Sequence, residues 1–212
     1  LALHASPFTL HENMFELIKA DYARYRPEGF RGRIYLWLFN FDWHQVIAYR
    51  WCSFLNRHRW RTTARFFGYW SRIYFGSDIS WKARIGPGLY ISHGVNIVIG
   101  SGARVGRNLT ILNGVTLGQK RRIEDWKGEQ NEDGYPEIGD DAYLGTGCKI
   151  LGGIKVGRNV TIGANAVVTK DVPDDVIAAG VPARILRERE ASTRQESLSR
   201  EVAKAPRNDR AL

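Results

Sequence analysis

Between Asp78 and Val168 large aliphatic residues return every six positions, a period that few folds can accommodate. The series runs Ile79, Ile85, Ile91, slips by two residues, and continues through Ile99, Val105, Ile111 and Leu117. It resumes at Ile138, Leu144, Ile150, Val156, Ile162 and Val168. A second apolar or small series keeps step four places later, at Ala83, Leu89, Val95, Ala103, Leu109, Val115, Ala142, Cys148, Ile154, Val160 and Ala166. An α-helix repeats at about 3.6 residues and a flat strand at about 2, so neither produces this spacing. A triangular solenoid of short strands does: each six is one side and one corner, three sixes make a coil, and stacked coils share an apolar interior. Glycines just after the aliphatic, as at Gly86, Gly106, Gly139 and Gly145, let the chain bend where a Cβ would clash. A β-sandwich, the competing architecture, does not hold a six-residue spacing without drift.

Ahead of the repeat, residues 1–76 read as an α-helical region. Apolar residues recur at helical spacing from Phe15 to Tyr25, and Pro27 and Gly29 end that segment. Further helical stretches cover 33–40, 43–57 and 61–74. The third segment carries an apolar stripe of Val46, Ile47, Trp51, Phe54 and Leu55 with one polar interruption, Arg50. Five tryptophans fall in this helical region, which suits it to cap the open end of the solenoid, to contact another chain, or to rest on lipid.

The repeat proper spans 77–186 and is broken once. From Leu117 to Ile138 the step is 21 residues where six is expected, so the charged run 118–137 is extruded as a loop. Long loops on rigid repeats cost little closure entropy and often carry function. Residues 187–212 are charged and small, a tail that buries little.

The net charge is +9, and residues 1–76 hold 11 Lys or Arg against 5 Asp or Glu, so most of the excess lies outside the solenoid. That excess is a solvated basic face or an attraction to an acidic surface. No apolar run reaches the ~20 residues of a membrane span. Two distant cysteines, Cys52 and Cys148, lack metal-ligand spacing, and the chain reads as a reduced cytoplasmic protein, at the inner face of the membrane if the helices touch lipid.

His93 is the one histidine inside the solenoid. A zinc site of the β-helical carbonic anhydrase kind needs three converging imidazoles, so no metal is expected. His93 lies beside the two-residue slip, where the prism must bulge and form a recess. An imidazole there can take the proton of a hydroxyl as it attacks a thioester.

The runs YISHGVNIVIG, ILNGVTLG and AAGVPARI resemble the serine acetyltransferase branch of the hexapeptide acyltransferases, and FDWHQVIAYR resembles the helix that precedes the solenoid there. The likeness covers roughly residues 15–186. It implies a left-handed parallel β-helix, acetyl-CoA as co-substrate, and a homotrimer whose donor groove lies between neighbouring prisms. It further implies His93 as general base and Asp78, fifteen residues earlier, as the carboxylate that holds it. Gly118, Thr146, Ala164, Ala179, Gly180 and Arg184 fall at the positions that line the donor groove, with a backbone N–H near Gly118 as oxyanion donor.

At the acceptor the chain departs from that branch. Ser92 replaces the aspartate before the histidine, and Gly134-Tyr135-Pro136 replaces an Arg-His-Pro triplet. Losing a carboxylate and a guanidinium weakens the grip on a zwitterion. Ser92, Trp126 and Tyr135 suit a neutral polyol, and the same departures occur in surface-polysaccharide acetyltransferases of the colanic acid type. The expectation is therefore O-acetylation of a surface-polysaccharide sugar. L-serine is the alternative acceptor, and a scaffold without turnover is the reading from another class. Nucleic acid is not an expected partner.

Overall fold

The computed structural model describes residues 13–120 and 134–188. Four helices come first: α1 (Met14–Tyr25), α2 (Gly29–Phe39), α3 (Phe41–Arg57) and α4 (Arg61–Phe75). Asn13 caps α1 by accepting from Phe15 N–H at 3.2 Å, and Asn40 caps α3 by accepting from Trp43 N–H at 2.8 Å. The second helix starts four residues before the expected Arg33. Arg26 turns left-handed (φ 44°) and ends α1, so Pro27 and Glu28 suffice as the connection.

In the described residues fifteen short strands then build three sheets, each drawing on every third strand until the third sheet ends in β14 and β15. The first sheet holds β1 (Asp78–Ile79), β4 (Val98–Ile99), β7 (Thr116–Gly118), β10 (Lys149–Leu151) and β13 (Val167–Val168). The second holds β2 (Arg84–Ile85), β5 (Arg104–Val105), β8 (Glu137–Ile138) and β11 (Lys155–Val156). The third holds β3 (Tyr90–Ser92), β6 (Thr110–Leu112), β9 (Tyr143–Leu144), β12 (Thr161–Ile162), β14 (Val176–Ala179) and β15 (Arg184–Glu188). All pairs are parallel except the last, β14 with β15. The result is the three-sided prism that the period of six requires.

Register follows the aliphatic series. Ile79 stands over Ile99, Leu117, Ile150 and Val168, and Ile91 over Ile111, Leu144 and Ile162. Apart from Ile79, which is half-buried, these residues are no more than 2% exposed. Burying each is worth roughly 2–3 kcal/mol, so the column is the main cohesive element of the prism. One member of the second series departs from expectation: Val95 is 53% exposed, and Ile97 fills the interior instead. Asp78 pairs with Val98 but Val98 with Thr116, so the first coil is two residues longer than the next, and the excess lies in the corner at 93–97.

The corner glycines act differently from the sequence reading. Left-handed backbone at the corners falls to asparagine and aspartate, as at Asn108 (φ 56°), Asp141 (φ 57°) and Asn159 (φ 53°), and to other glycines, Gly88 (φ 83°), Gly114 (φ 69°) and Gly147 (φ 70°), not to Gly86, Gly106, Gly139 or Gly145. Gly139 and Gly145 are needed because the next coil is so close: a Cβ would come within 2.7 Å of Arg158 N and 2.8 Å of Ile162 O.

The helices seal the first coil. Arg50, from α3, donates to both carboxylate oxygens of Asp21 on α1 (2.8 and 3.0 Å) and to Ile85 O (2.6 Å) and Gly86 O (2.7 Å). Asp21 Oδ1 also accepts from Gly88 N–H and Leu89 N–H at 2.9 and 2.7 Å. Backbone groups that no preceding coil can meet are thereby satisfied, and the strand edge is closed.

Candidate active site

Where the third sheet turns into the first, the corners of successive coils stack along one edge of the prism. Gly114 N–H donates to Val95 O (2.9 Å), Gly147 N–H to Asn113 O (2.8 Å), Asn165 N–H to Thr146 O (2.8 Å) and Val167 N–H to Gly180 O (3.0 Å). His93 therefore heads an edge that continues through Asn113, Thr146, Ala164 and Gly180. The side chains along it are small: Thr146 is half-buried and donates to Asn113 Oδ1 at 3.1 Å, and Ala164 and Gly180 are exposed. Ala179 lies one residue before the last corner, and Arg184 pairs with it across β14 and β15 with its side chain exposed.

The His93 corner is held from outside the solenoid. His93 adopts φ 56°, a left-handed conformation costly for a residue with a Cβ. Asp42, in the first turn of α3, accepts from His93 N–H at 3.0 Å and Gly94 N–H at 2.7 Å. Ser77 donates through Oγ to Gly94 O (2.9 Å) and accepts from Ile97 N–H (3.0 Å). Gly94 has no room for a side chain, since a Cβ would meet Gln45 Oε1 and lie 2.7 Å from Ile91 Cγ2. The imidazole itself is exposed. The corner held in this way presents the exposed ring to whatever lies against this edge, where an imidazole can act as a base.

Asp78 comes to the same corner, because Ser77 before it is tied to Gly94 and Ile97. It is not bonded to His93, however: its carboxylate pairs with Arg72 of α4 at 3.2 Å. Sequence spacing could not anticipate Arg72, which reaches Asp78 from the preceding helix. Both side chains of this pair are well exposed, so solvent screens it and its cost of opening is small.

Other expected residues lie elsewhere. Gly118 ends β7 at the opposite edge of the first sheet, paired with Leu151, so its backbone is not beside His93 of the same protomer. Tyr135 is at that edge too. Its ring covers Gly100, and Ser101 Oγ donates to its hydroxyl at 3.4 Å, so one face is taken by the prism and is not open to a sugar. Gly134 packs near Gln119, and Trp126 lies outside the described residues. Ser92 is half-buried in β3 beside Leu112. The carboxylate that is bonded to this corner, Asp42, is one the sequence reading missed; both of its oxygens are engaged by backbone N–H groups.

Cys148 is no nucleophile. It sits in the core with no exposure, and burial pushes its thiol up to about 12. Among the described residues no group of three or more His, Cys, Asp or Glu is placed to hold a metal ion.

Comparison with known proteins agrees with this architecture. Residues 135–170 match the family described as bacterial transferase hexapeptide (six repeats). The serine acetyltransferase of Staphylococcus epidermidis is 38% identical over 146 residues, 69% of this chain and 63% of that protein. The chain thus spans a little under two thirds of that relative's length. The serine acetyltransferase of Synechococcus elongatus is 33% identical over 175 residues, 82% of this chain and 69% of its own. Among solved structures, the serine acetyltransferase of Neisseria gonorrhoeae superposes with a TM-score of 0.75 at 32% identity, covering 87% of this chain and 69% of that one. A serine acetyltransferase solved in complex with CoA gives 0.69 at 30% identity, covering 82% and 69%. These likenesses carry serine acetyltransferase names and lend no support to the expected polysaccharide type. Sharing both the left-handed parallel β-helix and a third of its residues over 82% of its length, the chain belongs to the serine acetyltransferase family of hexapeptide-repeat transferases.

Proposed function

We propose that this chain transfers an acetyl group from acetyl-CoA to an acceptor hydroxyl, with His93 as general base and L-serine as the leading acceptor. The observation that carries the reading is His93, locked in a left-handed corner by Asp42 and Ser77 at the head of an edge of small residues. The names of the relatives support serine. In this mechanism His93 removes the hydroxyl proton as the oxygen bonds to the acetyl carbonyl carbon. The same imidazolium then returns the proton to the departing sulfur when the carbon–sulfur bond breaks. Asp78 steadies the charged ring after its carboxylate leaves Arg72, as a carboxylate does behind a catalytic histidine.

Thr146, Ala164, Ala179 and Gly180 leave the edge below His93 free of bulk, which suits a narrow pantetheine arm, and Arg184 suits a phosphate. A trimer fits the same reading. Gly118 lies across the first sheet from His93, so an oxyanion donor at that turn has to come from the neighbouring prism.

A second reading is favoured by one specific observation. Ser92 and Gly134-Tyr135 bring neither carboxylate nor guanidinium, and the Asp42 oxygens are engaged, which disfavours a zwitterion and suits a neutral hydroxyl such as a sugar's. The test is thiol release from acetyl-CoA with L-serine against a panel of sugars, using wild type and His93→Ala. Serine turnover at micromolar to millimolar concentration, lost by about 10²–10⁴-fold in His93→Ala, supports the first reading. Turnover of sugars but not serine supports the second, and transfer in neither case, with ligand binding retained, leaves a scaffold.

A further inference from the structure

Helix α4 reverses the usual order of a surface helix. Its small residues Ala64, Gly68 and Ser71 face inward, where a Cβ on Gly68 would run into the Trp81 ring. Phe75 at its end is buried, but its other large residues, Phe66, Phe67, Tyr69, Trp70, Ile73 and Tyr74, are each 52–69% exposed. Helix α2 also exposes large residues: it buries Leu36, while Trp37, Leu38 and Phe39 are at least half exposed. Between α3 and α4 opens an apolar trough of about 730 Å³, walled by Trp51, Leu55, Trp60, Phe67, Trp70 and Tyr74.

Charge decides what covers this face. Arg61 and Arg65 fall on one row of α4 with Arg72, which Asp78 already meets, at the margin of the aromatic arc, and Arg31 and Arg33 lie on α2. Neither helix contains Asp or Glu. A second copy related by a twofold axis would bring the same arginines to the contact with no carboxylate from these helices to meet them. An anionic bilayer meets both demands: aromatic rings settle at the headgroup boundary, and arginines reach lipid phosphates. No helix among the described residues is long and apolar enough to cross a membrane, so such a contact lies on the surface.

We propose that α2, α4 and the trough between α3 and α4 dock this protein on an anionic bilayer surface. The test uses the full chain and vesicles of phosphatidylcholine alone or with about one third phosphatidylglycerol, read by co-sedimentation and tryptophan emission. Binding is expected to the anionic vesicles, with a blue shift, and at least tenfold weaker to the neutral ones. Arg61→Ala with Arg65→Ala should weaken it on the order of 30-fold, the surface attraction of two arginines. Phe66→Ser with Trp70→Ser should abolish it while circular dichroism and sedimentation mass stay unchanged. No binding to either vesicle, or equal binding to both, overturns the proposal. So does a wild-type assembly in solution that Phe66→Ser with Trp70→Ser dissociates, since a second copy would then own this face. Vesicle binding needs no substrate, so its outcome is independent of the transferase reading.

Discussion

Replacing Arg50 by leucine removes at least four hydrogen bonds at a point that is almost wholly closed to water. The guanidinium and the Asp21 carboxylate have side-chain exposures of 1% and 0%. Without the guanidinium, Ile85 O and Gly86 O lose their donors, and Asp21 stays as a buried anion held only by Gly88 N–H and Leu89 N–H. Breaking one side of such a pair costs about 3–5 kcal/mol. With a urea dependence of about 2–3 kcal/mol/M, the unfolding midpoint should fall by roughly 1.5 M. Asp21→Leu in the same chain removes the stranded charge, so the double variant should be more stable than Arg50→Leu. Recovery should be incomplete, because the four backbone groups remain unmet and each buried one costs about 1–3 kcal/mol. Urea titration followed by circular dichroism measures all three variants. An Arg50→Leu midpoint within about 0.3 M of wild type would falsify the account of the helices as the seal of the first coil.

Three further outcomes follow from the corner and the core. Asp42→Ala frees the backbone of His93 and Gly94, and should lower kcat for acetyl transfer by about 10–100-fold with little change in the KM for acetyl-CoA, since misplacing a reacting group costs on this scale; an unchanged kcat removes Asp42 from any positioning role. Arg72→Ala breaks a screened pair and should alter stability by less than about 1 kcal/mol, whereas Asp78→Asn should cut kcat tenfold or more while leaving the fold intact. Equal kcat in both variants and wild type would show that Asp78 serves only Arg72. Burial pushes the thiols of Cys52 and Cys148 up to about 11 and about 12. The unfolded chain releases these protons near pH 8.5 and the folded chain does not, so their contribution is full below that pH and declines as pH rises towards 11–12. Urea midpoints of wild type and a Cys52→Ala, Cys148→Ala double variant at pH 8 and pH 10 should show a smaller drop in the double variant, and parallel drops would refute the assignment.

The prism was legible because its cause is local and repeated. An aliphatic every six residues needs one inward position per side, and Ile85, Ile111, Leu144 and Ile162 each fall into that position. Where the count slipped, the second series failed: Val95 keeps the nominal spacing, yet the two inserted residues turn it outward and bring Ile97 in. The edge under His93 was partly legible, since Thr146 and Ala164 follow each other by one coil. Tyr135 and Gly118 could not be located from spacing alone, because which of two edges a corner residue joins depends on the strand that precedes it. The roles of Asp42, Ser77, Arg72 and Arg50 were invisible for a different reason. Each works through a contact distant in sequence or through backbone atoms, and an acid in a helix's first turn looks the same whether it caps the helix or holds a histidine 51 positions later.

These missed residues share a location, and it explains why the helices precede the repeat. A solenoid holds each coil by hydrogen bonds to the coil on either side, and the first has a neighbour on one side only. That coil is also the irregular one, carrying two extra residues and left-handed backbone at both His93 and Asn96. A bulged corner in an end coil is the part of the prism with the least support from stacking. Asp21 and Arg50 meet its backbone from one side, Asp42 fixes the histidine, and Arg72 engages the nearby carboxylate. The helices therefore supply to the first coil what a preceding coil gives to all the others, and leave the corner free to depart from the repeat. Because α4 carries both Arg72 and the exposed aromatic face, a surface that engages α4 also bears on the carboxylate beside His93. Anionic vesicles should therefore change kcat, read by steady-state thiol release, in wild type and leave it unchanged in Arg72→Ala, and an equal response in both would refute the coupling.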